Sequence, residues 1–148
     1  MFREQRFVDA RDTAADFLTG IGMREQSSTG LMQVTTRTAI DAINYSVEKG
    51  YTTFGDLGIT RNNQLTYADS KDRSSIWNLL RNDPEFNIEV ATQIVRMNAD
   101  KEVKKENIED YSEADLMKLL ARYNGRGDAA QEYGEECYGW YQEFSWYN

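Results

Sequence analysis

The chain has no histidine and a single cysteine, Cys137, among its 148 residues. Those two counts remove Ser-His-Asp and Cys-His nucleophilic catalysis, together with histidine-ligated metal sites. Cys137 has no second cysteine for an internal disulfide and no imidazole to activate it, so it reads as a half-buried structural residue. Carboxylate, amide, hydroxyl, lysine and arginine groups remain to do chemistry. With 25 Asp and Glu residues, the most open route is carboxylate acid catalysis. A glutamate whose pKa is raised by burial can protonate a leaving oxygen near neutral pH, as glycoside cleavage requires. Acids in abundance do not make a site, and a specific constellation is needed.

Ser27-Ser28-Thr29-Gly30-Leu31-Met32-Gln33-Val34, followed by Thr36 and Thr38-Ala39, supplies one. It resembles the G-L-M-Q-[VI]-x-x-x-T-A signature of the lysozyme-like lytic transglycosylases, the family that includes soluble lytic transglycosylases and goose-type lysozymes. Two weaker matches follow in the family's order. Asn87-Ile88 looks like its N-I element, and Ala121-Arg122-Tyr123-Asn124-Gly125 looks like its A-x-Y-N-x-G motif. The resemblance runs from about residue 4 to residue 140. It implies a single lysozyme-like helical domain over residues 1–148, acting on the peptidoglycan glycan strand without cofactor or metal.

The site the resemblance implies makes physical sense residue by residue. Gly30 lets the backbone pass close to a sugar ring, Met32 offers a soft apolar surface to a pyranose, and Gln33 points a donor and an acceptor at the reaction centre. Tyr123, Asn124 and Tyr133 would contact or orient the sugar. Read alone, Gln33 is an ordinary polar residue, Tyr123-Asn124 is a helix C-cap, and Leu31 and Val34 are core residues. The family's catalytic glutamate closes a helix ahead of the G-L-M-Q segment. Glu4 lies 26 positions before Gly30 and Glu25 lies five before it. Five residues cannot carry a helix end, a loop and a return, so Glu4 is the preferred acid and Glu25 the alternative. Only three residues precede Glu4, which carries the expectation of a chain shortened at its N-terminus. For a hydrolytic muramidase, Asp9, Asp12, Asp16 or Glu25 would have to position a water, with roughly 6.5 to 9.5 Å between the two carboxyls. A non-catalytic glycan-binding or scaffold domain of the same fold is the third reading.

The elements that must position these residues are mostly helical. One proline and ten glycines leave few breakers. Helices are expected over 2–18, from Thr35 or Thr36 to Gly50 with Ala39, Ile40, Ile43 and Val47 apolar, and from Asp69–Asp72 through Ile76, Leu79 and Leu80. Pro84 opens another through Ile88, Ala91, Val95 and Ala99. Ser112 with Asp115 resembles a capping box before Leu116, Leu119 and Leu120, and an aromatic-rich segment follows Gly125. Residues 51–72 read as a loop, Lys101–Lys105 as a solvated helix face, and a small hairpin is expected near residues 21–34. Nine Tyr, six Phe and three Trp suffice for a core at this length. The net charge of −8 and the lack of a basic stripe argue against nucleic acid. No apolar run approaches the ~20 residues of a membrane span, and the charged start MFREQRFVDARD is unlike a signal peptide. The expected site of action is the bacterial periplasm or cell wall, by an export route the chain does not reveal.

Overall fold

The computed structural model describes residues 28–61 and 63–145. The expected helix over 2–18, Glu4 and Glu25 lie outside them. The described part is mainly helical, with five α-helices and one small antiparallel sheet. It divides into two compact units, one reaching to Gln93 and the other starting at Ile94.

In the first unit, β1 (Ser28–Thr29) pairs with β2 (Val34–Thr35), with Ser28 opposite Thr35 and Thr29 opposite Val34. The hairpin falls where expected, but Gly30–Gln33 forms its turn rather than a strand. Leu31 therefore sits at the tip, 59% exposed, instead of in the core, whereas Val34 is buried. Thr35 caps α1 (Thr36–Lys49) by accepting from the Thr38 amide, and Gly50 closes it in the left-handed conformation at φ 73°. Ala39, Ile40 and Ile43 form its buried face, each isoleucine contributing roughly 1.5–3 kcal/mol by leaving water.

Residues 51–69 lack periodicity yet pack, burying Phe54, Leu57, Ile59 and Leu65. Side chains from the flanking helices hold this loop. Asn44 brackets Leu65, accepting from its amide at 2.9 Å and donating to its carbonyl at 2.8 Å. Asp72, buried at the start of α2 (Ser70–Asn82), accepts from the Thr66 amide and pairs with Arg61. Asp83 caps α3 (Pro84–Asn98) through the Phe86 amide, with Pro84 at the first helical position as expected.

The buried stripe of α3 differs from the expected one. Ala91 and Ala99 (just past the helix) are buried, but Ile88 and Val95 are exposed, and Asn87, Val90 and Ile94 are buried instead. The inward face is rotated by one residue, and polar Asn87 conceals it from a hydropathy reading.

In the second unit, a π-helical turn (Ala99–Val103) and a 3-10 turn (Ile108–Asp110) lead to α4 (Glu113–Asn124) and α5 (Asp128–Ser145). The stretch expected as a solvated helix face breaks at Lys104, which is left-handed at φ 59°. The capping box is present: Ser112 Oγ accepts from the Asp115 amide, and the Asp115 carboxylate accepts from the Ser112 amide. Gly125 ends α4 and, with Gly127, turns the chain at positive φ. The two helices then pack closely at Gly134, where a Cβ would come within 2.6 Å of the Met117 carbonyl oxygen. Along the last turns of α5, Trp140, Tyr141 and Phe144 are exposed. No helix among the described residues is long and apolar enough to cross a membrane.

Candidate functional site

The Gly30–Gln33 turn is built from two left-handed residues and one buried amide. Gly30 has φ 74°, and a Cβ there would overlap the Asn87 carboxamide and the Leu80 carbonyl oxygen. Close internal packing therefore already demands glycine at this position, before any ligand approaches. Gln33 adopts φ 51° without being a glycine, a conformation that non-glycine residues enter rarely. Its amide donates to the Gly30 carbonyl at 3.2 Å and its side-chain Nε2 to the same oxygen at 2.9 Å. Ser28 Oγ donates to Gln33 Oε1 at 3.0 Å. The carboxamide is thus fixed in orientation by its own hairpin.

Asn87 fastens this turn to the helices behind it. It is fully buried, with Oδ1 accepting from the Met32 amide at 2.7 Å and Nδ2 donating to the carbonyls of Thr29 at 3.2 Å and Leu80 at 3.0 Å. A buried amide with three partners is well satisfied, and one stripped of them would be costly. Two segments singled out by sequence, Gly30–Gln33 and Asn87-Ile88, meet at this junction although 55 residues separate Met32 from Asn87. Leu31, Met32 and Ile88 present exposed apolar surface. The anchoring role of Asn87 is not among the roles the motifs imply. Its signal was a polar residue standing on the helical stripe one step from the apolar positions.

Tyr123, Asn124 and Tyr133 belong to the second unit. Asn124 is the last residue of α4 and is exposed, whereas Tyr123 is half-buried and burial pushes its phenol pKa upward. Tyr133 on α5 is pushed up to about 12, first by a hydrogen bond with Cys137, then by burial, with Tyr123 close enough to add to the effect. Both phenols therefore keep their protons at neutral pH and can act as hydrogen-bond donors rather than as nucleophiles. Cys137, half-buried as expected, is the partner that holds Tyr133. Among the described residues, no three acidic or cysteine side chains cluster in a way that could hold a metal ion. No family model, curated protein or solved structure matches this sequence.

Proposed function

We propose that this protein cleaves peptidoglycan glycan strands as a lysozyme-like lytic transglycosylase. The observation that supports the reading is the Asn87 junction, in which a buried amide binds the backbone of the Gly30–Gln33 turn and so joins two of the three motifs carrying the resemblance. An orientation-locked carboxamide beside exposed Met32 suits the binding of a polar, flat-faced sugar. In the proposed reaction, protonated Glu4 donates to the glycosidic oxygen between N-acetylmuramic acid and N-acetylglucosamine. The resulting carboxylate then takes the proton of the muramoyl 6-hydroxyl as that oxygen attacks C1, closing a 1,6-anhydro ring. Gln33 orients the sugar, and the resemblance gives Tyr123, Asn124 and Tyr133 substrate contacts as protonated donors or amides.

The test is digestion of purified murein by the wild type and by Glu4→Gln and Glu25→Gln variants, with the released muropeptides read by mass spectrometry. Anhydro ends released by wild type and by Glu25→Gln, but not by Glu4→Gln, are the expected result. Loss only in Glu25→Gln moves the acid to Glu25. Reducing ends in place of anhydro ends select hydrolysis. Murein binding without turnover in any of the three proteins makes the chain a glycan-binding domain.

A further inference from the structure

Helix α5 differs from the other four in charge. Lys49, Arg81, Arg96 and Arg122 stand in the last turns of α1, α2, α3 and α4, where a cation offsets the partial negative charge of a helix C-terminus. The last turn of α5 has no basic residue and contains Glu143. The whole helix carries five acidic residues and no lysine or arginine, and none of the five is in an ion pair among the described residues. Its aromatic rings differ in the same sense. Elsewhere, cations of this chain lie over the rings: Arg37 and Arg73 over Tyr67, Lys49 over Tyr45, Arg81 over Trp77. Among the described residues no cation covers Trp140, Tyr141 or Phe144, and all three are exposed, Phe144 at 71%.

The exposed rings continue a packed seam. Ala130, Gly134, Cys137, Tyr141 and Phe144 recur at alternating spacings of four and three, the pattern of a helix that packs along another helix. α4 covers the first part of it, meeting α5 at Gly134. α5 has 18 residues and α4 has 12, so its last turns run past the start of α4. Trp140 borders the uncovered part, with Glu136 four residues before it and Glu143 three after, hence neighbours on the helix surface. We infer that this end of α5 docks a cationic amphipathic helix of a partner protein. The partner's apolar residues meet Tyr141 and Phe144, and its lysines or arginines reach Glu136, Glu143 and the Trp140 ring. The seam calls for a helix, and the charge decides its sign. A cation beside Glu143 also meets the negative end of the α5 dipole. A second copy of this face would bring acid against acid, and an anionic bilayer is repelled for the same reason. The inference uses none of the residues assigned to glycan cleavage.

The full chain, labelled with 15N, is titrated with three synthetic peptides: an amphipathic Leu/Lys helix, the same pattern with Glu in place of Lys, and the Leu/Lys composition in scrambled order. Saturable shifts of the Gly139 amide, with the Gly127 amide at the far end of α5 unmoved, are expected with the patterned Leu/Lys helix. Binding weakens about tenfold in a double variant Trp140→Ser, Phe144→Ser and in a double variant Glu136→Gln, Glu143→Gln. All four side chains are exposed, and an unchanged Gly134 amide reports that the helix pair is intact in each variant. Absence of saturable shifts at Gly139 overturns the proposal, as does an unchanged Kd in either double variant. Leu/Glu or scrambled peptide binding as tightly as the patterned Leu/Lys helix overturns it as well. A chain that sediments as a dimer without peptide, and as a monomer once Trp140 and Phe144 are replaced, gives the face to a second copy instead. A Glu4→Gln protein that has lost murein turnover binds the Leu/Lys helix as the wild type does, so the two readings fail separately.

Discussion

The hairpin turn of the first unit and the α4–α5 pair of the second are both held by few residues, but by opposite means. The turn depends on one amide with no solvent access, three hydrogen bonds and a glycine with no room for a methyl group. In the second unit a capping box and exposed ion pairs fasten α4 to the segment before it, and α4 and α5 approach closely at Gly134. Buried polar contacts are costly to break because water cannot replace them, whereas exposed pairs exchange with solvent at little cost. The turn should therefore be brittle, and the helix pair graded in its response.

Asn87→Ala is the hardest blow to that contrast. It removes three hydrogen bonds, one from the Met32 amide and two to the carbonyls of Thr29 and Leu80, and should lower stability by about 4 kcal/mol in urea unfolding. A loss below about 1.5 kcal/mol would show that the junction relaxes and that the turn is not brittle. Next come two glycines compared directly. Gly30→Ala meets both left-handed backbone and occupied space, while Gly134→Ala meets occupied space alone. Losses of about 3 and about 2 kcal/mol are expected, and the reverse order would place the tighter packing in the helix pair.

Asp115 gives a smaller, pH-dependent effect. Its carboxyl is held well below the usual 3.8 by hydrogen bonds from Lys105 and Ser112. A depressed folded-state pKa contributes stability that is complete above the unfolded value and fades as pH falls below it. Unfolding midpoints should therefore show no Asp115 contribution to their change between pH 7 and pH 5, and a loss as pH drops under about 4. Asp115→Asn should remove that acid-side slope, and an unchanged slope would assign it to other carboxylates. The smallest effect expected is at Ser46, whose hydroxyl is wholly buried without a hydrogen-bond partner among the described residues. Ser46→Ala should be neutral or stabilising by up to about 1 kcal/mol, and a clear destabilisation would reveal a partner for the hydroxyl.

Local signals were legible where they act locally. Thr35, Gly50, Pro84 and the Ser112–Asp115 pair mark helix ends because capping needs only neighbouring residues. The Gly, Ser and Thr residues around a short apolar run place a hairpin here, but hydrophobicity says nothing of a turn tip, and Leu31 stands exposed at it. The loop core of Phe54, Leu57, Ile59 and Leu65 has no period, and Leu65 is held by Asn44, 21 positions away, a contact no local pattern reports. Of the candidate site, Gly30, Met32 and Gln33 were legible through a motif. The bonds by which Asn87 ties that motif down were not, because they join residues about 55 positions apart.

Gln33 sits in a left-handed well at φ 51°, which costs a residue with a side chain about 1 kcal/mol or more. Glycine would rest there without that penalty but would bring no carboxamide. A library selected for heat resistance alone should drift toward glycine at this position, and one selected for murein turnover should hold glutamine. The disagreement between the two selections would measure how much thermal robustness the chain gives up to keep one carboxamide in the turn.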